Sequence, residues 1–168
     1  GRPIDKCPLH SKEEYELKPT LNRDPRYSAS IMGQGDNFYG EKIDIFNENS
    51  PMYYEKERAS KSGYWFRKYV ADADAFKSGG AGTMDFGLLR YAEVLLTYAE
   101  AKIMLNQVDD LAKSCINQVR SRAGLDMKVA DVTLPLYANY SQQQWIELIR
   151  NERRIEFAGE GLRYDDLI

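Results

Sequence analysis

Leu88-Leu89-Arg90-Tyr91-Ala92-Glu93-Val94-Leu95-Leu96-Thr97-Tyr98-Ala99-Glu100-Ala101 decides the architecture, because Ile116-Asn117-Gln118-Val119-Arg120-Ser121-Arg122-Ala123-Gly124-Leu125 answers it further along the chain. Leu88, Ala92, Leu95, Leu96, Ala99 and Ile103 recur at helical spacing and form one apolar stripe, while Arg90, Glu93, Thr97, Glu100 and Lys102 fall largely off it. Asp85 is placed as the N-cap, and Asn106, which tolerates left-handed backbone, as the terminator. Ala112, Cys115, Ile116, Val119 and Ala123 repeat the period, with Asp109 and Asp110 near the positive end of the helix dipole and Gly124 just past the last turn. The spacing therefore predicts antiparallel helices over Leu88–Asn106 and Val108–Ala123, with Leu95, Ala99, Ile116 and Val119 at their contact. Small alanines on both stripes let the backbones approach. This is a tetratricopeptide-like hairpin, and arrays of such hairpins close a core only with about three or more units.

A third helix starts at Ser141, which forms a capping box with Gln144. Trp145, Leu148, Ile149, Glu152 and Ile155 follow one face of it. A carboxylate on that face is costly to bury without a partner, so Glu152 is expected to meet Arg120, Arg122 or Arg153. The alternative for Glu152 is a catalytic acid. Asp126 to Tyr140, which contains Pro135, reads as an irregular connection.

The first half is different. Pro19 and Pro25 argue against a long helix before Arg26, and Arg26 to Ile31 reads as a short strand. Gly33-Gln34-Gly35-Asp36-Asn37 is turn-rich and leads into Phe38 and Tyr39. Asn47 to Lys61 is polar, with Tyr53 and Tyr54 close to Pro51. Gly63 to Val70 reads as a strand, and Asp72 to Thr83 as a glycine-laden connection. The expected fold is mainly α: a tetratricopeptide-like helical hairpin plus a carboxy-terminal helix, with irregular loops and a few short strands in the first half. The expected organisation is one partial domain over 1–168, loop-rich with short strands over 1–84 and helical over 85–168.

At 168 residues, 43% apolar and a formal charge of −3, the chain can form one domain and offers no electrostatic case for nucleic acid. No apolar run is long enough to span a bilayer. The first residues include neither an initiator methionine nor an apolar signal region, so a fragment of a longer protein is expected. Cys7 follows Asp5-Lys6 and is not a lipidation site, while Cys115 lies on a buried stripe and reads as a small core residue. With His10 the only histidine, a Ser/His/Asp triad has no second candidate base and a zinc site lacks its usual ligands. Gly79-Gly80-Ala81-Gly82-Thr83 lacks the lysine of a phosphate-binding loop and reads as a linker. Asp72-Ala73-Asp74 and Asp36-Asn37 offer oxygen ligands to calcium but lack the later acid of an EF-hand. No metal and no cofactor is expected.

Four islands carry a family resemblance: Arg23-Asp24-Pro25-Arg26-Tyr27, Gly63-Tyr64-Trp65-Phe66-Arg67-Lys68-Tyr69, the hairpin, and Asn151-Glu152-Arg153-Arg154-Ile155-Glu156-Phe157-Ala158-Gly159-Glu160-Gly161-Leu162-Arg163-Tyr164-Asp165-Asp166-Leu167. In this order they resemble the carboxy-terminal part of the SusD/RagB family, from about Asn22 to the last residue. The resemblance implies a cell-surface lipoprotein of the outer membrane, anchored by a lipid absent from this portion. It implies capture of oligosaccharides or peptides and their delivery to a SusC-type TonB-dependent transporter, without catalysis.

Twelve tyrosines and two tryptophans supply candidates for a glycan surface, because sugar C–H faces stack on flat rings. Tyr91, Tyr98, Trp145 and Tyr164 read as packing residues, as do Tyr64, Trp65 and Tyr69. Phe38, Tyr39, Tyr53 and Tyr54 lie in polar, glycine- or proline-bearing loops and are the candidate ligand-binding residues. Two rival functions stay open. A helical-repeat scaffold would present a bare groove to a protein partner, and a glycoside hydrolase would need two carboxylates across a cleft.

Overall fold

The computed structural model describes residues 13, 23–38, 40–57, 59–70, 85, 87–164 and 166. They belong to two compact units: Gly1–Arg26 with Gly87–Ile168, and Tyr27–Phe86.

Helix α1 (Pro25–Ser30) begins in the first unit and runs into the second. The sequence pattern predicts a strand here, and the structure corrects it. Asp24 accepts from the backbone N–H of Arg26 at 3.0 Å. Proline fits the first helical position, where no N–H is needed. Asp24-Pro25 is therefore a helix start, and extended pairing is confined to the two residues that follow the helix.

The first unit is built on α2 (Tyr91–Met104), α3 (Asp110–Arg122), the single turn α4 (Met127–Ala130) and α5 (Gln142–Glu156). α2 packs on both α3 and α5. Leu96, Ile103, Ile116, Val119, Val132 and Ile149 are fully buried between them. Leu95, Ala99, Ile116 and Val119 all lie in this core, as the hairpin reading expects. Both hairpin helices end in left-handed backbone. Asn106 has φ 55° and Gly124 φ 77°. At each end the next two N–H groups return to carbonyls of the last turn: Gln107 to Lys102 and Asn106 to Ile103, then Leu125 to Arg120 and Gly124 to Ser121. Ser141 and Gln144 form the capping box of α5. The Gln142 amide reaches back to the carbonyls of Ile103 and Met104, tying the start of α5 to the end of α2.

α2 starts later than its apolar spacing predicts. Asp85 is not its cap and Leu88 is not in its core: Arg90 is the N-cap, and Leu88 is 91% exposed. The Arg90 guanidinium is held by Glu156 and Glu160, which fixes an extended residue ahead of the first turn. Tyr91 and Tyr164 are likewise exposed rather than packed, at 69% and 73%. The aromatic packing falls instead to Tyr137 and Tyr140, whose rings lie 6.2 and 5.6 Å from that of Trp145.

In the second unit the strands are β1 (Ile31–Met32), β2 (Asn37–Phe38), β3 (Glu41–Lys42) and β4 (Trp65–Phe66). β1 pairs antiparallel with β4, Ile31 opposite Phe66, and β2 forms a hairpin with β3, Phe38 opposite Glu41. The strand predicted over 63–70 is reduced to Trp65–Phe66. Left-handed backbone at Gly63 and Tyr69, φ 73° and 63°, stops extension on either side. Gly33 faces the Tyr64 ring so closely that a Cβ there would lie 2.9 Å from it. Among the described residues of this unit, Met32 and Ile43 are the buried large apolar side chains.

Candidate functional site in an aromatic loop

The run from Asn47 to Ser62 is a chain of tight turns. Tyr53 donates its N–H to Ser50, Lys56 to Tyr53 and Ala59 to Lys56, at 3.0–3.2 Å. Two cross-links hold it to the preceding segment. Tyr54 N–H donates to the Ile45 carbonyl at 3.1 Å, and Ile45 N–H donates to the Gln34 side chain at 2.7 Å. The Lys61 ammonium braces the loop from within, donating to the carbonyls of Tyr54 and Lys56. Backbone groups satisfied in this way fix where the side chains stand.

Tyr53 and Tyr54 meet edge to face, ring centroids 4.9 Å apart and planes at 66°. Tyr54 is 43% exposed, and its hydroxyl donates to the Glu55 carboxylate at 2.8 Å. Partial desolvation, and then the Glu55 carboxylate, push the Tyr53 hydroxyl up to about 12. The hydrogen bond to Glu55 raises that of Tyr54 as well. Both are neutral phenols at any physiological pH, able to donate and to accept. Phe46, 70% exposed, directly follows the Ile45 to which Tyr54 bonds.

The structure thus brings together two of the four candidate ligand residues. Phe38 is half-buried on the β2–β3 hairpin. Tyr39 lies outside the described residues. Phe46 is not among the residues singled out from the sequence; its exposure follows from the turns around it.

In the first unit, Glu152 and Glu156 form a pair of carboxylates with side chains 3% and 2% exposed. Every oxygen of the pair is engaged. Glu152 accepts from Arg26 at 2.7 Å and from Arg120 at 2.8 Å. Glu156 accepts from Arg26 at 3.0 Å, from Arg90 at 2.6 Å and from Arg122. Of the arginines expected for Glu152, Arg120 is the partner; Arg122 serves Glu156, and Arg153 holds Asp166. Burial opposes the charge on Arg26, but Asp24, Glu152 and Glu156 outweigh it and hold the pKa above the usual arginine value. Arg90 is raised in the same way against its own burial, by Glu160 and Glu156. Each carboxylate of the pair is bridged between guanidinium groups that join α1, α3 and the residue ahead of α2 to α5. These residues form a structural lattice.

The same unit carries a groove of about 1060 Å³ lined by Tyr91, Leu95, Asn117, Arg122 and residues around them on α2 and α3. Among the described residues, no cluster of His, Cys, Asp or Glu is arranged to hold a metal. The Asp36 carboxylate closes its own turn on Gly33 N–H at 2.8 Å. Asp72, Asp74, His10, Cys7 and Gly79–Thr83 lie outside the described residues. Cys115 is buried, and burial raises its thiol pKa, consistent with a core residue. No described helix is long and apolar enough to cross a membrane.

The family model described as the SusD family matches residues 7–168. The chain belongs to the SusD family. A crystal structure of a SusD-like protein from Bacteroides fragilis superposes with a TM-score of 0.68 at 31% identity, covering 88% of this chain and 28% of that one. A SusD-like carbohydrate binding protein from the same organism gives 0.64, also at 31% identity and the same coverage. A SusD-like protein of Formosa agariphila is 38% identical over 82 residues, 48% of this chain and 16% of that protein. The chain therefore spans under a third of these SusD relatives.

Proposed function

We propose that this chain is the carboxy-terminal portion of a non-catalytic SusD-type lipoprotein at the outer face of the outer membrane. It binds oligosaccharides or peptides and passes them to a SusC-type TonB-dependent transporter. Family membership and the carbohydrate-binding description of one solved relative support this reading. The observation that carries it on this chain is the tyrosine pair, Tyr53 and Tyr54, displayed on a loop that backbone hydrogen bonds hold in place. A rigid scaffold with binding side chains on its loops is a common division of labour. Tyr53 and Tyr54 are assigned to ligand stacking, with Phe38 and Tyr39 as further ligand-binding residues.

The groove on α2 and α3 supports a second reading, a helical-repeat surface for a protein partner. A hydrolase is the weakest reading, since the buried carboxylate pair is consumed by arginines.

The test is to titrate the intact protein with a panel of oligosaccharides and peptides, and to purify it from native membranes. Reversible binding without product formation, together with a co-purifying TonB-dependent barrel, is expected. Cleavage of a bound oligosaccharide, or a membrane fraction yielding only a different protein partner, contradicts the proposal.

A further inference from the structure

We infer that Glu55 sets the charge preference of the aromatic loop, making it a site for neutral glycans that rejects uronate-bearing or sulfated ones. This inference rests on Tyr53 and Tyr54 being the stacking pair. The Glu55 carboxylate accepts the Tyr54 hydroxyl at 2.8 Å and is itself exposed, so it stands at the rim of the ring a sugar would cover. A glycan stacked there presents its ring hydroxyls edge-on. Hydroxyls donate well to a carboxylate, and a charge-assisted bond of this kind is about twice as strong as a neutral one. An anionic substituent in the same place meets a fixed negative charge.

The surrounding charges reinforce the effect. Glu48 adds negative potential at the Tyr53 hydroxyl. Asp44 is occupied by the Gln34 amide and the Phe46 N–H, which leaves its charge in place beside exposed Phe46. The Lys61 ammonium is turned onto the carbonyls of Tyr54 and Lys56, where it braces the loop. Lys56 is the other described cation of the run, and Arg58 lies outside the described residues.

Glu55→Gln separates charge from shape, because an amide oxygen still accepts from Tyr54. Calorimetry on the intact protein would compare a neutral oligosaccharide with a uronate-bearing one of equal length, at low and high salt. The parent should prefer the neutral ligand. In the variant, affinity for the uronate ligand should rise roughly fivefold at low salt, a gain that shrinks as salt screens the charge. A neutral-to-uronate ratio unchanged by Glu55→Gln, or a parent that prefers the uronate ligand, overturns the inference. Tyr54→Ala measured alongside keeps the two claims apart. If it leaves neutral binding intact, the stacking reading fails; if it weakens neutral binding while Glu55→Gln changes nothing, only the charge inference fails. A parent that binds neither ligand counts against both.

Discussion

Arg26 and Glu152, 126 positions apart in the sequence, meet at 2.7 Å with their side chains buried. The guanidinium also grips Asp24 through two hydrogen bonds and reaches Glu156, so one side chain ties the start of α1 to the last two turns of α5. Arg26→Met should destabilise the protein by about 3 kcal/mol, because it strands charge in a buried site. Arg122 also reaches Glu156 but is 59% exposed, and Arg122→Met should cost less than about 1 kcal/mol. Urea unfolding of the two variants checks this, and equal effects would show that burial is not what makes the lattice matter.

The hairpin contact has no room to spare. Ala99 and Ile116 are both fully buried, so Ala99→Leu should overpack the interface at a cost of roughly 1–3 kcal/mol. Ile116→Ala should leave a cavity costing roughly 2–5 kcal/mol. Thermal melts of both variants should show lowered midpoints, and an unshifted Ala99→Leu would mean that the helices are looser than described.

Ser141 accepts the Gln144 N–H, and the Gln144 side chain returns to the Ser141 N–H at 2.8 Å. Removing the hydroxyl in Ser141→Ala should cost about 1 kcal/mol and fray the first turn of α5. Hydrogen exchange at the amides of Gln143 to Trp145 is the direct probe.

Acid should weaken the fold in a defined window. At Asp24, burial opposes ionisation, and the Arg26 hydrogen bonds outweigh it and hold the carboxyl below its ordinary value of 3.8. Asp131 is depressed by the Thr133 N–H and hydroxyl, and Asp109 by Lys102 and the Ala112 N–H. A folded value below the unfolded one gives stability that is present above the unfolded pKa and lost as pH falls through the folded pKa. Unfolding free energy should therefore be nearly flat from neutrality to about pH 5 with respect to these groups, then decline steeply below about pH 4. Asp24→Asn should flatten part of that decline.

How much of this was legible in the sequence depended on how local the cause was. Helices α2, α3 and α5, and the ends at Asn106, Gly124 and Ser141, follow from spacing and capping chemistry within a few residues. The start of α2 does not, because Leu88 fits the apolar period while Arg90 answers to Glu156 and Glu160, 66 and 70 positions away. Asp24-Pro25 carried both a breaker and a helix-start signal, and the N-cap decided between them. Burial of Glu152 could be read from its helix face, yet Arg26 as its partner could not. In the aromatic loop, polar context singled out Tyr53 and Tyr54, whereas the exposure of Phe46 depends on turns that only the folded chain specifies.

The central claim is that the aromatic loop holds the ligand. Isothermal titration of the intact protein, with and without Tyr53→Ala and Tyr54→Ala together, tests it most directly. Each lost platform removes on the order of 1 kcal/mol of stacking and burial, so the double variant should bind an oligosaccharide ten-fold or more weakly, to the order of magnitude, with its melting temperature little changed. Unchanged affinity for every ligand the parent binds would contradict the account and remove the loop from the site.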